Sequence, residues 1–246
     1  MISSEVLSKM NPKRTAQIVG ILFLIGTSGL FIGKTFYDPI LSSPEYLDIT
    51  YPNRIAVIFG ILVETLGYLG LVFIPLLLYP IFKRHNEALA LSYICFRLFE
   101  SVLLCVAQGI KLSIIGLSQN YLANGGVDAS YFYNMGASIQ SVLYWIDSGG
   151  LLSIVVFVIG ALVLYYELYK TILVPRWISI FGLFSGVALI TASLGFTFDL
   201  FNAELAVLLM IPLAVQEQVM ALWMIFKGFN SSAVTFYTRT DGEMES

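Results

Sequence analysis

Tyr93–Lys111, YICFRLFESVLLCVAQGIK, lies in a run apolar and long enough to cross a bilayer, yet it carries Arg97 and Glu100 near its middle. On a helix, residues three apart occupy neighbouring parts of one face. The 3.6-residue period returns Ser101, Gln108 and Lys111 to the side of Arg97, with Tyr93 above them, while Leu98, Val102, Leu103, Val106 and Ile110 fall mostly elsewhere. The stretch reads as a membrane helix with one polar stripe. Hydrocarbon cannot satisfy such a stripe, so it must face protein or trapped water.

The composition agrees. The chain has 246 residues, 58% apolar and 12% charged, with a mean hydropathy of +0.84. A soluble domain carries roughly a quarter of its residues as charges. The apolar residues come in runs of about 20, the length a hydrocarbon core of roughly 30 Å demands. These features predict an all-α polytopic membrane helical bundle in one domain, residues 11–229, followed by a disordered tail, 230–246. Six transmembrane helices are predicted, over about 15–32, 55–79, 88–110, 139–166, 177–198 and 205–226.

Local signals set the breaks. Asn11-Pro12 is a helix start, with Asn as cap and Pro where its missing N–H costs nothing. Residues 34–53, with Pro39, Pro44 and Pro52, read as a stiff loop. Residues 112–122, the first part of the longest connection, continue as an amphipathic turn or two before Asn124-Gly125-Gly126 breaks the chain. Gly149-Gly150 reads as a place of close helix approach, and Gly182 with Gly186 as a GxxxG packing pair. Cys95 and Cys105 lie about 15 Å apart along one helix, too far to pair, and read as packing residues. Lys9, Lys13, Arg14, Lys83, Arg84, Lys170, Arg176, Lys227 and Arg239 fall on one side of the six-helix arrangement. That places both termini in the cytoplasm and the chain in the cytoplasmic membrane.

Five ionisable residues fall inside the predicted spans: Glu64, Arg97, Glu100, Asp147 and Glu217. A charge at the bilayer centre costs at least ~2.5–3.5 kcal/mol. With Arg97 as the only base among four acids, one or two ion pairs are expected, to Glu64 or Glu217 among others. Tyr68 shares a face with Glu64, and Gln108 lies on the stripe. Gln140, Tyr144 and Asp147, at i, i+4 and i+7, form a polar line that would make an outer approach. Two readings stand. The charges act as interhelical glue that fixes register, in a scaffold or sensor subunit. Alternatively they line a site for a small solute, an ion or protons, which the acid excess favours. Pro212, upstream of Glu217, marks either a broken helix at such a site or a tolerated kink.

Other chemistry lacks its residues. His85 is the only histidine and there is no HExxH, so a histidine-dependent hydrolase or a zinc centre is not expected. No Walker A motif, GxGxxG or CxxCH occurs, so no cofactor is expected, and an intramembrane enzyme is the third reading. Basic residues are too few for nucleic acid. The expected partners are membrane lipid and a small solute or ion.

Several short motifs, in order, carry a resemblance: Asn11-Pro12-x-Arg14-x-Ala16 with Gly20; Phe96-Arg97-x-x-Glu100; Pro175-Arg176-Trp177 with Gly182; and Glu217 followed by Ala221-Leu222-Trp223 and Lys227-Gly228-Phe229. Together they resemble a family of bacterial multi-pass membrane proteins known as domain of unknown function 4386. The resemblance implies a helical bundle in a membrane. It implies no activity and no catalytic residues.

Overall fold

The structure, a computed structural model, describes residues 11–147 and 149–238. Those residues form helices, turns and bends, without strands. The elements are α1 (Pro12–Leu41), α2 (Tyr46–Ile49), α3 (Arg54–Ala123), α4 (Ala129–Ile146), α5 (Leu151–Thr171), α6 (Arg176–Thr197), α7 (Ala203–Phe226) and α8 (Ser231–Thr238). Five helical stretches are long and apolar enough to cross a membrane, α4 and α5 counted together. Their outward faces carry large apolar side chains such as Ile55, Leu66, Phe73, Phe184 and Leu208. Such a surface suits hydrocarbon.

The 70-residue α3 is two limbs. Asn86 leaves helical geometry (φ −155°, ψ 107°) and its side chain accepts from Leu89 N at 3.2 Å, capping the second limb. The chain folds back there, because Gln108 on the second limb donates to Glu64 on the first at 2.9 Å. One end of the bundle gathers Pro12, Asn86 and the α7 C-terminus: Gln17 reaches the Ile225 carbonyl, and His85 reaches Glu167. The other end gathers the α1 C-terminus, α2 and α4. There Gln140 donates to the Leu41 carbonyl, Ser118 donates to the Leu47 carbonyl, and the Tyr51 amide donates to Ser118 Oγ.

The start of α1 follows its sequence signal, and α7 has a cap of the same kind. The Asn11 side chain accepts from Lys13 N ahead of Pro12, and Asn202 does the same for Leu205 N at the start of α7. Gly125 and Gly126 take positive φ (60° and 75°) where α3 ends. The α7 helix continues through Pro212 without a break. Gly182 lies against the Tyr165 ring and Gly186 against Leu162, so this pair packs α6 on α5.

Several expectations need correction. Residues 34–41 are helix rather than loop: Gly26, Gly29, Gly33, Tyr37 and Leu41 form one buried stripe on α1, and packing carries the helix past Pro39. The second limb of α3 likewise runs on to Ala123, because Ile114, Leu117 and Ser118 are buried against the far-end cluster. The predicted helix 139–166 is two helices. Asp147 and Gly150 take extended backbone between α4 and α5, and the Ser153 hydroxyl sits against both their carbonyls. Gly149 has nothing near its missing Cβ and Gly150 meets only local backbone, so these glycines serve the break rather than helix approach. Cys95 and Cys105 are free and exposed, not packed. Residues 231–238 of the predicted tail are helical, with Ala233 and Val234 buried; residues 239–246 lie outside the described residues, as does Lys9.

The α1–α3 contact is backbone on backbone. A Cβ added at Gly33 would fall 2.6 Å from the Gly60 carbonyl oxygen, and one at Gly60 would fall 2.5 Å from that of Gly33. Neither helix can yield without moving Glu64, one turn from Gly60 and itself against Gly33. Gly33→Ala and Gly60→Ala should each destabilise by about 1–3 kcal/mol, the usual cost of overpacking. Gly109→Ala, with open space around it, should be neutral or stabilising. Thermal unfolding of the purified protein in detergent checks this; equal melting points for all three variants would refute the close contact.

Candidate functional site

Two layers of buried charge lie along the second limb of α3. Lys111 and Arg97 stand about 21 Å apart on that helix, and each gathers carboxylates from neighbouring elements.

The layer nearer the far end is built on Lys111, which is 2% exposed. Its ammonium lies 3.3 Å from Glu64 Oε2, 3.0 Å from Asp147 Oδ1 and 2.8 Å from the Tyr37 hydroxyl, and 4.4 Å from the centroid of the Tyr37 ring. Glu64, fully buried, also accepts from the Tyr37 hydroxyl (2.7 Å), the Tyr68 hydroxyl (2.5 Å) and Gln108 Nε2 (2.9 Å). An ammonium has three protons to donate and a carboxylate about four acceptor positions. Lys111 meets three acceptors and Glu64 four donors, so the Lys111–Glu64 contact is satisfied from within. It joins α1, both limbs of α3 and the α4–α5 break.

The deeper layer is built on Arg97, 1% exposed. Its Nη1 donates to Glu100 Oε2 at 3.0 Å, within the same helix. Its Nη2 stands 4.0 Å from Glu217 Oε1 on α7, a charge contact too long for a hydrogen bond. Glu217 Oε2 accepts from Thr27 on α1 at 3.1 Å. The guanidinium also lies 5.0 Å from the Phe157 ring centroid. Arg97 Nε and Nη2 have no hydrogen-bond acceptor among the described residues. Arg97, Glu100, Glu217, Thr27 and Tyr68 border a pocket of about 90 Å³, room for several waters or one very small solute. This layer leaves guanidinium donors unused, whereas in the other the Lys111–Glu64 pair is satisfied and Gln108 Oε1 is left without a partner among the described residues.

Beyond Lys111, at the far end, a cavity of about 500 Å³ opens between α1, the second limb of α3, and α4. Lys111 and Asp147 are at its wall, together with Tyr37, Asp38, Gln140 and Tyr144. A second cavity of about 310 Å³ shares Tyr144 and Asp147 and adds Lys34 and Met210. Tyr68 touches both storeys: it borders the deep pocket and its hydroxyl binds Glu64.

The residues singled out from sequence therefore separate into two groups. Glu64 and Asp147 pair with Lys111, Tyr68 and Gln108 bind Glu64, and Gln140 and Tyr144 are at the cavity wall. Arg97, Glu100 and Glu217 form the deep layer, bordered by Tyr68. The expectation that Arg97 is the only base fails, because Lys111 is the second. Glu64 pairs with Lys111 and not with Arg97. The helical period had already placed Lys111 on the stripe; ending the helix at Ile110 removed it from the charge count. Tyr37 and Thr27 were missed because nothing in α1's own pattern marks them. Glu167, one residue beyond the predicted helix end, is fully buried and meets His85 Nδ1 at 3.0 Å. Among the described residues no group of three His, Cys, Asp or Glu is arranged to hold a metal.

The chain belongs to the DUF4386 family, a domain of unknown function, whose profile matches residues 18–228. Neither a curated protein nor a solved structure matches it.

The satisfied pair makes a stability prediction. Lys111→Ala leaves Glu64 and Asp147 buried beside an empty lysine path, and removing one partner of a buried pair costs about 3–5 kcal/mol. Combining Lys111→Met with Glu64→Gln removes both charges and should recover most of that loss. Unfolding midpoints in detergent for the single and double variants check this; a double variant no better than Lys111→Ala would refute the pairing.

Proposed function

We propose that this chain is a six-span membrane protein, with both termini in the cytoplasm, that binds and moves a small solute or ion through the carboxylate–arginine layer at Arg97. The observation that carries this reading is the unsaturated deep layer. Two carboxylates and a guanidinium with unused donors border one small pocket in the interior of an apolar bundle. Buried ionisable groups in membranes mark ligand, ion or proton paths by default. The Lys111 layer then acts as the partition between the far-end cavity and the pocket, with Tyr68 in contact with both. The fold-back at Asn86 supports the span count. The basic residues Lys13, Arg14, Lys83, Arg84, Lys170, Arg176 and Lys227 at the terminal end support the orientation.

The saturation of Glu64 favours a second reading, a scaffold whose charges fix helix register. Flux separates the two. Proteoliposomes loaded with a pH-reporting dye are challenged with gradients of sodium, potassium, amino acids and alkylamines. On the transport reading, at least one gradient gives a signal above protein-free liposomes. Glu217→Gln and Glu100→Gln each lower it at least about tenfold, a loss of roughly 1.4 kcal/mol in the moving step, while Glu204→Gln in the exposed first turn of α7 leaves it intact. Silence across the panel favours the scaffold.

The orientation is tested separately. A phosphatase and a fluorescent-protein reporter fused after Ser246 should give fluorescence without phosphatase activity, and the reverse pattern would overturn the six-span arrangement.

A further inference from the structure

We propose that the cavity of about 500 Å³ at the far end binds a small organic cation, an alkylammonium, through Asp147, Asp38 and the rings of Tyr37 and Tyr144. This rests on the solute-binding reading above and adds the class of solute.

Three observations carry it. First, the cavity has the right size. Small-molecule sites run from about 300 to 1,000 Å³, and this one, at about 500 Å³, mixes tyrosines, carboxylates and apolar wall such as Leu41 and Ile114. Second, its charge is unbalanced. At its wall Asp38 and Asp147 stand against Lys111, two carboxylates to one ammonium group; Lys34 lines the neighbouring cavity and Glu64 lies behind Lys111. Lys34 lies four residues before Asp38 on α1, within helical pairing reach. Lys111 is shared among Asp147 (3.0 Å), Glu64 (3.3 Å) and the Tyr37 hydroxyl (2.8 Å). Asp147 differs from Glu64 in access: its side chain keeps 22% of its surface exposed, whereas Glu64 keeps none. Asp147 is thus the member of the network that a solute reaches.

Third, the protein already holds a cation there. The Lys111 ammonium lies over the Tyr37 ring at 4.4 Å, with carboxylates at 3.0 and 3.3 Å. That is the pattern by which aromatic faces and acids recognise alkylammonium groups, which are attracted to the ring quadrupole when desolvated. Lys111 is a tethered copy of such a ligand. A free ammonium in the cavity meets Asp147 from the open side, and Lys111 remains anchored by Glu64 beneath. Asp147 sits between α4 and α5, where backbone is extended rather than helical, so its shift toward a ligand breaks no helix.

Equilibrium binding in detergent tests this without any flux. The purified full chain is titrated calorimetrically with choline, butylammonium, the neutral choline isostere 3,3-dimethylbutanol, and butyrate. Both ammonium probes should bind, the neutral isostere roughly tenfold or more weakly, and butyrate not at all. Asp147→Asn retains the Lys111–Glu64 pair and should weaken choline roughly tenfold. Tyr144→Leu and Asp38→Asn, both at exposed positions, should weaken it several-fold and guard against a misfolded Asp147 variant. Ammonium probes that bind no better than the isostere, or equal binding by all three variants, overturn the proposal. If alkylamines fail while another solute drives flux that Glu217→Gln abolishes, the class of solute is wrong and the transport reading stands. If ammonium binds but no flux occurs, the site stands and transport fails.

Discussion

The contact between Lys111 and Glu64 is the constraint on which the rest of the bundle turns. Two opposite charges from the two limbs of α3 meet at 3.3 Å, with their side chains almost wholly buried. An ion pair so placed is tolerated only when every remaining proton and lone pair finds a partner. Here Tyr37 on α1, Tyr68 and Gln108 on the two limbs, and Asp147 at the α4–α5 break supply them. The requirement fixes four chain segments at one level. It also explains the glycines next to it: Glu64 reaches Tyr37 because α1 and the first limb touch backbone to backbone at Gly33 and Gly60.

That satisfied pair throws the Arg97 layer into contrast. The same physical rule applies about four helical turns away, and it is not met in the same way. Arg97 keeps a strong ion pair only with Glu100 on its own helix. Its approach to Glu217 stops at 4.0 Å, and Glu217 leans on Thr27 instead. A bundle that merely needed register would gain by closing this gap, since an unused buried donor costs about 1–3 kcal/mol. The Lys111–Glu64 pair has its partners, and the Arg97 layer leaves guanidinium donors unused beside a small pocket.

The far end adds what a bare membrane bundle would lack. The second limb of α3 and α4 rise together beyond Lys111 and, with α2, enclose their own apolar cluster around Tyr46, Leu47 and Phe132. Tyr121 packs edge-on against Phe132 and Tyr133 there. This cap holds α4 in place as one wall of the large cavity, and it puts Tyr144 and Asp147 on that wall.

The sequence alone determined the class of object. Apolar runs of bilayer length, few charges and a polar stripe at helical spacing on residues 93–111 demand a membrane helix bundle whose stripe faces inward, since lipid excludes the alternatives. Local chemistry also placed the start at Asn11-Pro12 and the stop at Gly125-Gly126, because caps and positive-φ turns depend on neighbours in sequence. Only the tertiary structure decided which charges meet. Glu64 and Lys111 are 47 residues apart, and nothing in either neighbourhood reveals that a fold-back at Asn86 brings them level. Only the tertiary structure, too, carried α1 past Pro39 and the second limb past Ile110, since those turns are held by burial against other elements and not by their own propensity. The division has one physical reason. Solvent preference and backbone capping act residue by residue and are written along the chain, whereas ion pairing acts across space and exists only once the helices are packed.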